Sequence, residues 1–444
     1  MKRNSFETIS CLLVFLVFFT NCSRNGSDGS EEVGQPTPIP TPNKTVHSVI
    51  SFNNPGKLID VFFYDIKQAT KNLNNASEAN EIFNIDDNNG LRVPIRGENN
   101  LPAHPSAGVV VEDMYNDVLT TISLAKQARG TKELKIFASK KLDGQTSFPS
   151  WVKDANGIIP AKYAILIADF IQFMKSKGVQ IDYLGIDNEF VYNEGNITPQ
   201  KYAQTIAALR ILAIEKGFAM PVLVGYEDYG PNKNNWVKNL IDNGWGDTMD
   251  IYGTHYYPQF RPKDKLLVDL AFIGNRPFWS TEPHWDAKAE VDDFSEAEEG
   301  ILALWDQIDI GMSGFMWWSY SIGENLRGKL MRAVSVPLLG ARPIKVTDID
   351  GESITTLGKL QTRAFIENKT ITVYAVNMNE TVRNDYTFKL ESTSIEGKVD
   401  ALQWTATTPI AGQQTSVNSE GTDKNIFSLT LPKRSITRFT FTIK

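Results

Sequence analysis

An apolar run from Ile181 to Ile186, interrupted by one acid, ends in Asp187, Asn188 and Glu189. A second run, RPFWST, ends in Glu282 and is followed by Pro283, His284 and Trp285. A carboxylate held at a fixed place can give or take a proton, or attack an electrophilic carbon. Two held together can divide the work, one protonated and one ionised. The Asn-Glu dipeptide by itself says little, because it recurs at Asn80-Glu81, Asn193-Glu194 and Asn379-Glu380. Only a position in a fold can separate Glu189 from a solvated loop acid.

The elements that would supply that position alternate along the chain. Eight β-rich apolar runs follow one another: HSVISF, GLRVPI, LKIFAS, IDYLGI, PVLVGY, MDIYGT, RPFWST and MSGFMWW. Helical signals lie between them. Tyr163, Leu166, Ile167, Phe170, Ile171 and Met174 recur at helical spacing, and Gly178 stands where a C-terminal cap is expected. Thr198-Pro199 reads as an N-cap with proline at the first helical position, and that helix closes at Gly217. Strands alternating with helices imply a parallel sheet, and eight such units imply a (β/α)8 TIM barrel over residues 46–331. A doubly wound sheet is the alternative, but no glycine-rich phosphate loop follows the first strand. After Arg332 the texture changes to period-two runs such as TITVYAVNMN, YTFKL, FSLTL and ITRFTFTIK. Residues 332–444 therefore read as a C-terminal antiparallel β-sandwich.

Barrel chemistry sits at the C-terminal ends of the strands. Those ends carry an unusual set of residues. Arg92 lies within strand two, with Glu98 and Asn99 after it. Strand four ends at Asn188-Glu189, and strand five at Tyr226, Glu227 and Asp228. Strand six gives His255, Tyr256 and Tyr257. Strand seven gives Glu282, then His284 and Trp285, and strand eight gives Trp317 and Trp318. Glu227 and Asp228 read as loop acids or helix N-terminal charges. Two glutamates on one face, with aromatics and no metal-ligand spacing among the histidines, suit cleavage of a glycosidic bond. Neither a cofactor nor a metal is expected.

These residues carry a family resemblance. Asn-Glu after strand four and Glu after strand seven resemble the catalytic pair of the retaining glycoside hydrolases of clan A. GLRVPI, FPSWVK, DIYGTHYYP, FWSTEPHW and the closing LPKRSITRFTF are most similar to glycoside hydrolase family 30. The resemblance implies that Glu189 is the acid/base and Glu282 the nucleophile. It implies that Asn188 holds the sugar 2-hydroxyl, that Arg92 lies near the nucleophile, and that Tyr257 contacts it. His255 belongs to the same His-x-Tyr unit, and Trp318 matches the aromatic platform after strand eight. Trp285 either lines a subsite or packs a loop. The chain departs from the pattern at Phe190, where proline usually follows the acid/base. It departs again in SKKLDGQTSFPSW, where Lys140 or Lys141 replaces an expected tryptophan. A lysine there suits an anionic sugar or is simply solvated. Another clan A family, including agar- or porphyran-cleaving ones, stays open.

Composition limits the remaining choices. The chain has 444 residues, 41% of them apolar and 22% charged, with a net charge of −7. That charge gives a nucleic-acid partner no support. Met1-Lys2-Arg3, the apolar run Leu12 to Phe19 and Thr20-Asn21-Cys22 read as a signal peptide over residues 1–21. The cysteine at its end resembles the lipobox of bacterial lipoproteins, so Cys22 is the expected lipidation site. Residues 22–45, rich in Ser, Gly, Glu, Pro and Thr, read as a flexible tether. Cys11 and Cys22 are the two cysteines, so the mature chain has none left for a disulfide framework. The expected protein is an exported lipoprotein, on the cell surface or facing the periplasm. It is expected to be monomeric, to touch the membrane through its lipid alone, and to take a polysaccharide or oligosaccharide as substrate. A non-catalytic glycan-binding lipoprotein on the same scaffold is the alternative.

Overall fold

The computed structural model describes residues 47–67, 72–97, 103–141, 148–189, 197–256, 267–268, 270–283, 294–317, 326–347, 360–391, 393–408, 411–420 and 425–444. Eight parallel strands close into a barrel. In chain order they are Val61–Asp65, Gly90–Ile95, Lys135–Lys140, Tyr183–Gly185, Val222–Tyr229, Ile251–Tyr256, Phe278–Pro283 and Gly314–Trp317, called strands one to eight below. Helices return the chain between them, among them Asn116–Arg129, Pro160–Ser176, Pro199–Lys216, Phe294–Asp309 and Leu326–Ser335. The caps expected for Pro199–Lys216 are in place. The Thr198 hydroxyl accepts from the Lys201 N–H at 3.2 Å, and Gly217 closes the helix at φ +67°. Among the described residues no helix is long and apolar enough to cross a membrane.

Seven of the eight expected runs form barrel strands; the first does not. HSVISF instead supplies strand Ser48–Ser51 of the C-terminal sheet, and VFFYD is the true strand one. The physical reason is the number of faces each run buries. A barrel strand is covered on both sides and needs near-continuous apolar residues. All five residues of Val61–Asp65 are buried. In Ser48–Ser51 two serines bracket Val49 and Ile50; Ile50 joins the sheet core while Val49 stays half-buried, which suits a sheet with one covered face.

Inside the barrel the side chains are layered. The floor is apolar: Phe63, Phe137, Tyr183 and Trp279 pack with Val61, Val224, Ile251 and Met316. Tyr183 and Trp279 meet edge-to-face with centroids 4.9 Å apart. Gly314 makes room for the indole, because a Cβ there would lie 2.7 Å from its ring atoms. Above this floor the same inward positions turn polar, with Asp65, Arg92, Ser139 and Glu227 all buried. Strands one and three switch from ring to polar group within two residues, as Phe63 gives way to Asp65 and Phe137 to Ser139.

Among the described residues nine strands of the C-terminal part and Ser48–Ser51 form one curled, mostly antiparallel sheet. Phe388, Phe427, Phe439 and Phe441 stack between the two faces, with Ile50, Val373 and Leu390 around them. Ser48–Ser51 joins the two halves, antiparallel to Arg342–Thr347 and parallel to Arg383–Leu390. Residues Thr45–Lys444 make one compact unit. Trp305 of helix Phe294–Asp309 packs on Phe365 and Tyr374 of the sheet, at 5.6 and 5.1 Å between centroids. An Arg363–Asp309 ion pair at 2.8 Å and an Arg434–Glu298 pair at 2.9 Å flank that contact.

Candidate active site

Glu189 lies just past strand four and Glu282 on strand seven, and the fold brings them together. Oxygens of the two carboxyls and a ring nitrogen of His255 lie within 4.8 Å of one another. His255 stands between the two acids. Its Nδ1 is 2.8 Å from Glu189 Oε1, and its Nε2 is 3.6 Å from Glu282 Oε2.

Local backbone irregularities aim these groups. Trp279 points into the barrel, so strict alternation would turn Glu282 outward. The register of strand seven against strand six shifts between Ser280 and Glu282, and the glutamate faces the axis. Glu189 takes a left-handed φ of +53°, and Glu227 on the next strand takes +48°. Non-glycine residues in that region store strain, which cooperative surroundings must hold. Here the Glu189 N–H donates to the Glu227 carbonyl at 3.1 Å, tying the two positions together.

Lys67, two residues past strand one, completes the centre. Its ammonium donates to Asn188 Oδ1 and lies 3.4 Å from Glu282 Oε2, in full burial. Sequence reasoning missed it because strand one was placed at HSVISF. The signal was the continuous run VFFYD with Lys67 two residues beyond.

Arg92 occupies the layer beneath. It pairs with Asp65 at 3.1 Å and with Glu227 at 2.5 Å, and donates to the Thr281 carbonyl at 2.6 Å. Arg92 thus neighbours Glu282 through the backbone and has no exposed surface. Glu227 is no loop acid. It is a buried member of strand five that also accepts from the Ser139 hydroxyl at 3.0 Å. Gly185 admits it, since a Cβ there would overlap Glu227 Oε2 at 1.5 Å.

Burial opposes ionisation of every one of these carboxyls. At Glu282 the positive charges of His255, Lys67 and Arg92 outweigh it and hold the pKa down to about 2. At Asp65 burial wins over Arg92 and Lys67, and the pKa is raised. Burial wins at Glu227 too, over Arg92, Lys67 and His255. Burial would strip the proton from His255, but Glu282 and then Glu189 raise its pKa. Glu189, His255 and Glu282 are close enough to share a cation, yet the Lys67 ammonium already supplies countercharge at Glu282.

Lys140 ends strand three, buried, with its ammonium 5.1 Å from the centroid of the Phe148 ring. Tyr257, Trp285, Trp318 and Cys22 lie outside the described residues, as do the leader and the tether. A cleft of about 690 Å³ opens at the opposite end of the barrel, lined by Lys135, Gln180, Asp182, Tyr183, Phe218 and Met220. Its polar groups serve the fold: Lys135 pairs with Asp60 at 3.1 Å, and Asp182 accepts from the Ile136 N–H at 2.8 Å.

No family model matches the chain, and no curated protein matches it. Solved structures do. A family 30 glycoside hydrolase, an endoxylanase from Clostridium papyrosolvens, is similar with a TM-score of 0.68 at 15% identity, over 89% of this chain and 100% of that one. The catalytic domain of a family 30 xylanase C from Talaromyces cellulolyticus gives 0.66 at 17% identity, over 89% and 99%. An endo-beta-1,6-glucanase gives 0.62 at 13% identity, over 90% and 94%. The fold is that of the family 30-like glycoside hydrolases: a (β/α)8 barrel with a C-terminal β domain.

Proposed function

We propose that this protein is a retaining glycoside hydrolase that cleaves a β-linked polysaccharide or oligosaccharide by double displacement. The observation that carries the proposal is the spacing of the two acids, whose nearest oxygens lie within 4.8 Å. Carboxyls roughly 5 Å apart suit a covalent intermediate, whereas inverting enzymes leave several ångströms more for a water. Glu282, ringed by Lys67, His255 and Arg92, takes the nucleophile's part. Glu189, which no ammonium or guanidinium contacts among the described residues, takes the acid's. A Glu282 oxygen attacks the anomeric carbon. The bond to the leaving oxygen breaks, and that oxygen takes its electron pair and the Glu189 proton. Water then gives its proton to Glu189 as its oxygen attacks the same carbon and frees Glu282. Asn188, held by Lys67, is placed to bind the sugar 2-hydroxyl. The xylanase and glucanase relatives in fold make β-linked glycans the substrates to try first.

The test is a panel of β-linked polysaccharides, with products separated by chromatography and their initial anomeric configuration read by NMR. Release of β-configured ends supports the proposal. Inverted products overturn the mechanism, and retarded migration in glycan-loaded gels without any release favours a binding module instead. We also propose lipid attachment at Cys22. Wild-type protein is then expected in the membrane fraction and Cys22→Ala in the soluble one, and equal partitioning refutes the anchor.

A further inference from the structure

Lys67 neither gives a proton nor attacks carbon in the division of labour between the two glutamates, yet it touches both the nucleophile and Asn188. It is fully buried, and a buried ammonium is costly unless its partners make full use of it. Its partners are specific. One is the Oδ1 atom of Asn188; the other is Oε2 of Glu282, 3.4 Å away. The amide and the carboxylate come from strands on different sides of the barrel, and Lys67 comes from a third. One side chain therefore fixes the mutual placement of two groups that the proposed reaction uses together.

Each contact has its own chemical consequence. An ammonium can only donate, so Asn188 must present its carbonyl oxygen to Lys67. The Asn188 amide nitrogen is thereby turned away from Lys67. At Glu282 the ammonium favours the ionised carboxylate. Among the described residues the other charged groups about Glu282 are His255, whose Nε2 is 3.6 Å away, Glu189 across the imidazole, and Arg92 below with its partners Asp65 and Glu227. These acids oppose its ionisation, so the cations must outweigh them.

We infer that Lys67 is a positioning residue of the proposed glycosidase, fixing which way the Asn188 amide is turned and keeping Glu282 charged as the nucleophile. This rests on the glycosidase proposal for its catalytic consequence, though not for the Lys67–Glu282 coupling itself. The low pKa of Glu282 accords with it.

The test uses the full-length chain with Lys67→Met, which keeps the length of the side chain and removes its charge, and Lys67→Arg, which keeps the charge. The first measurement needs no substrate: melting temperature from pH 7 downward. A carboxylate with a depressed pKa stabilises the fold above its unfolded pKa and loses that contribution as pH falls through the folded value. Lys67→Met should therefore be less stable than wild type at neutral pH, with the gap narrowing on acidification. The second measurement is the pH dependence of kcat/KM on a polysaccharide that the wild type hydrolyses. The acidic limb should move up by about one pH unit or more in Lys67→Met, a roughly tenfold loss on that limb, and stay near the wild-type position in Lys67→Arg. A stability gap that does not change with pH, or an unmoved acidic limb in Lys67→Met, overturns the inference. If Lys67→Met does not fold, Lys67→Gln carries both measurements. If the wild type hydrolyses nothing on the panel, the glycosidase proposal fails while the melting series still decides whether Lys67 holds the charge on Glu282.

Discussion

Two adjacent layers of the barrel interior hold buried carboxylates and treat them oppositely. In the lower layer Asp65 and Glu227 share Arg92, and burial pushes both toward the neutral form. In the upper layer Glu282 has Lys67 and His255 about it, and its pKa falls to about 2. Burial is nearly the same in both. What differs is direct contact: the lower acids divide one guanidinium between them, whereas Glu282 has an ammonium and an imidazole beside it. Ionisation inside a protein is thus decided by the charges in contact as much as by distance from water.

The largest expected effect tests whether the layers differ in function. Glu282→Gln should lower kcat by ~10⁴-fold or more on any glycan the protein hydrolyses, while Glu227→Gln keeps most of it. Equal losses in the two variants would erase the distinction. Glu189→Ala should lose ~10²–10⁴-fold on a natural leaving group, with azide restoring turnover on an activated aryl glycoside. Next comes Arg92→Met, which leaves two buried acids without their shared cation. Removing one partner from such a group costs about 3–5 kcal/mol, visible as a lower melting temperature at pH 7. The deficit should shrink on acidification, as Asp65 and Glu227 take up protons. A pH-independent deficit would mean that Arg92 matters by packing alone. A smaller effect sharpens the upper layer. The Glu282 charge is the foremost influence raising the His255 pKa against burial, so Glu282→Gln should lower that pKa. The chain has four histidines, which keeps its imidazole NMR spectrum assignable. The smallest effect belongs to Glu227→Gln in unfolding, within ~1 kcal/mol, because glutamine still accepts from Arg92 and Ser139. Wild-type Glu227, with its pKa raised, becomes less of a burden as pH falls through that value. The variant lacks this gain, so the two stabilities should diverge in favour of wild type on acidification.

Much of this was legible from residue pattern. Seven strands, the caps at Thr198 and Gly217, and the two glutamates at strand ends all follow from local signals. What escaped was set by counting faces rather than by hydrophobicity. HSVISF and VFFYD are both apolar, and only the serines that bracket Val49 and Ile50 in the first separate a one-sided sheet strand from a barrel strand. Misplacing strand one hid Asp65 and Lys67 together. Glu227 reads as a loop acid for a related reason: the apolar run PVLVGY ends at Tyr226, whereas the strand runs on to Tyr229. Its acid sits inside because Gly185 across from it has no side chain, a long-range fact that a local window cannot hold. The bridging place of His255 is likewise a product of two strand ends and a register shift.

Strand Ser48–Ser51 has a consequence for the order of events in folding. The His47 ring hydrogen-bonds Thr387 at 2.9 Å across a sequence separation of 340 residues, and Ser51 pairs with Lys345. The strand's two neighbours in the sheet are therefore synthesised long after it. Until they emerge, an early strand with an apolar face has nothing to pair with, and closing so long a loop is slow. The sheet is sewn shut last, by its earliest thread. No single cut near residue 332 then separates the barrel from the sheet as intact bodies. A barrel fragment from such a cut carries a stray sticky strand, and a sheet fragment lacks the strand at its centre, so a permuted chain that moves residues 47–52 to follow Lys444 is the way to free the two.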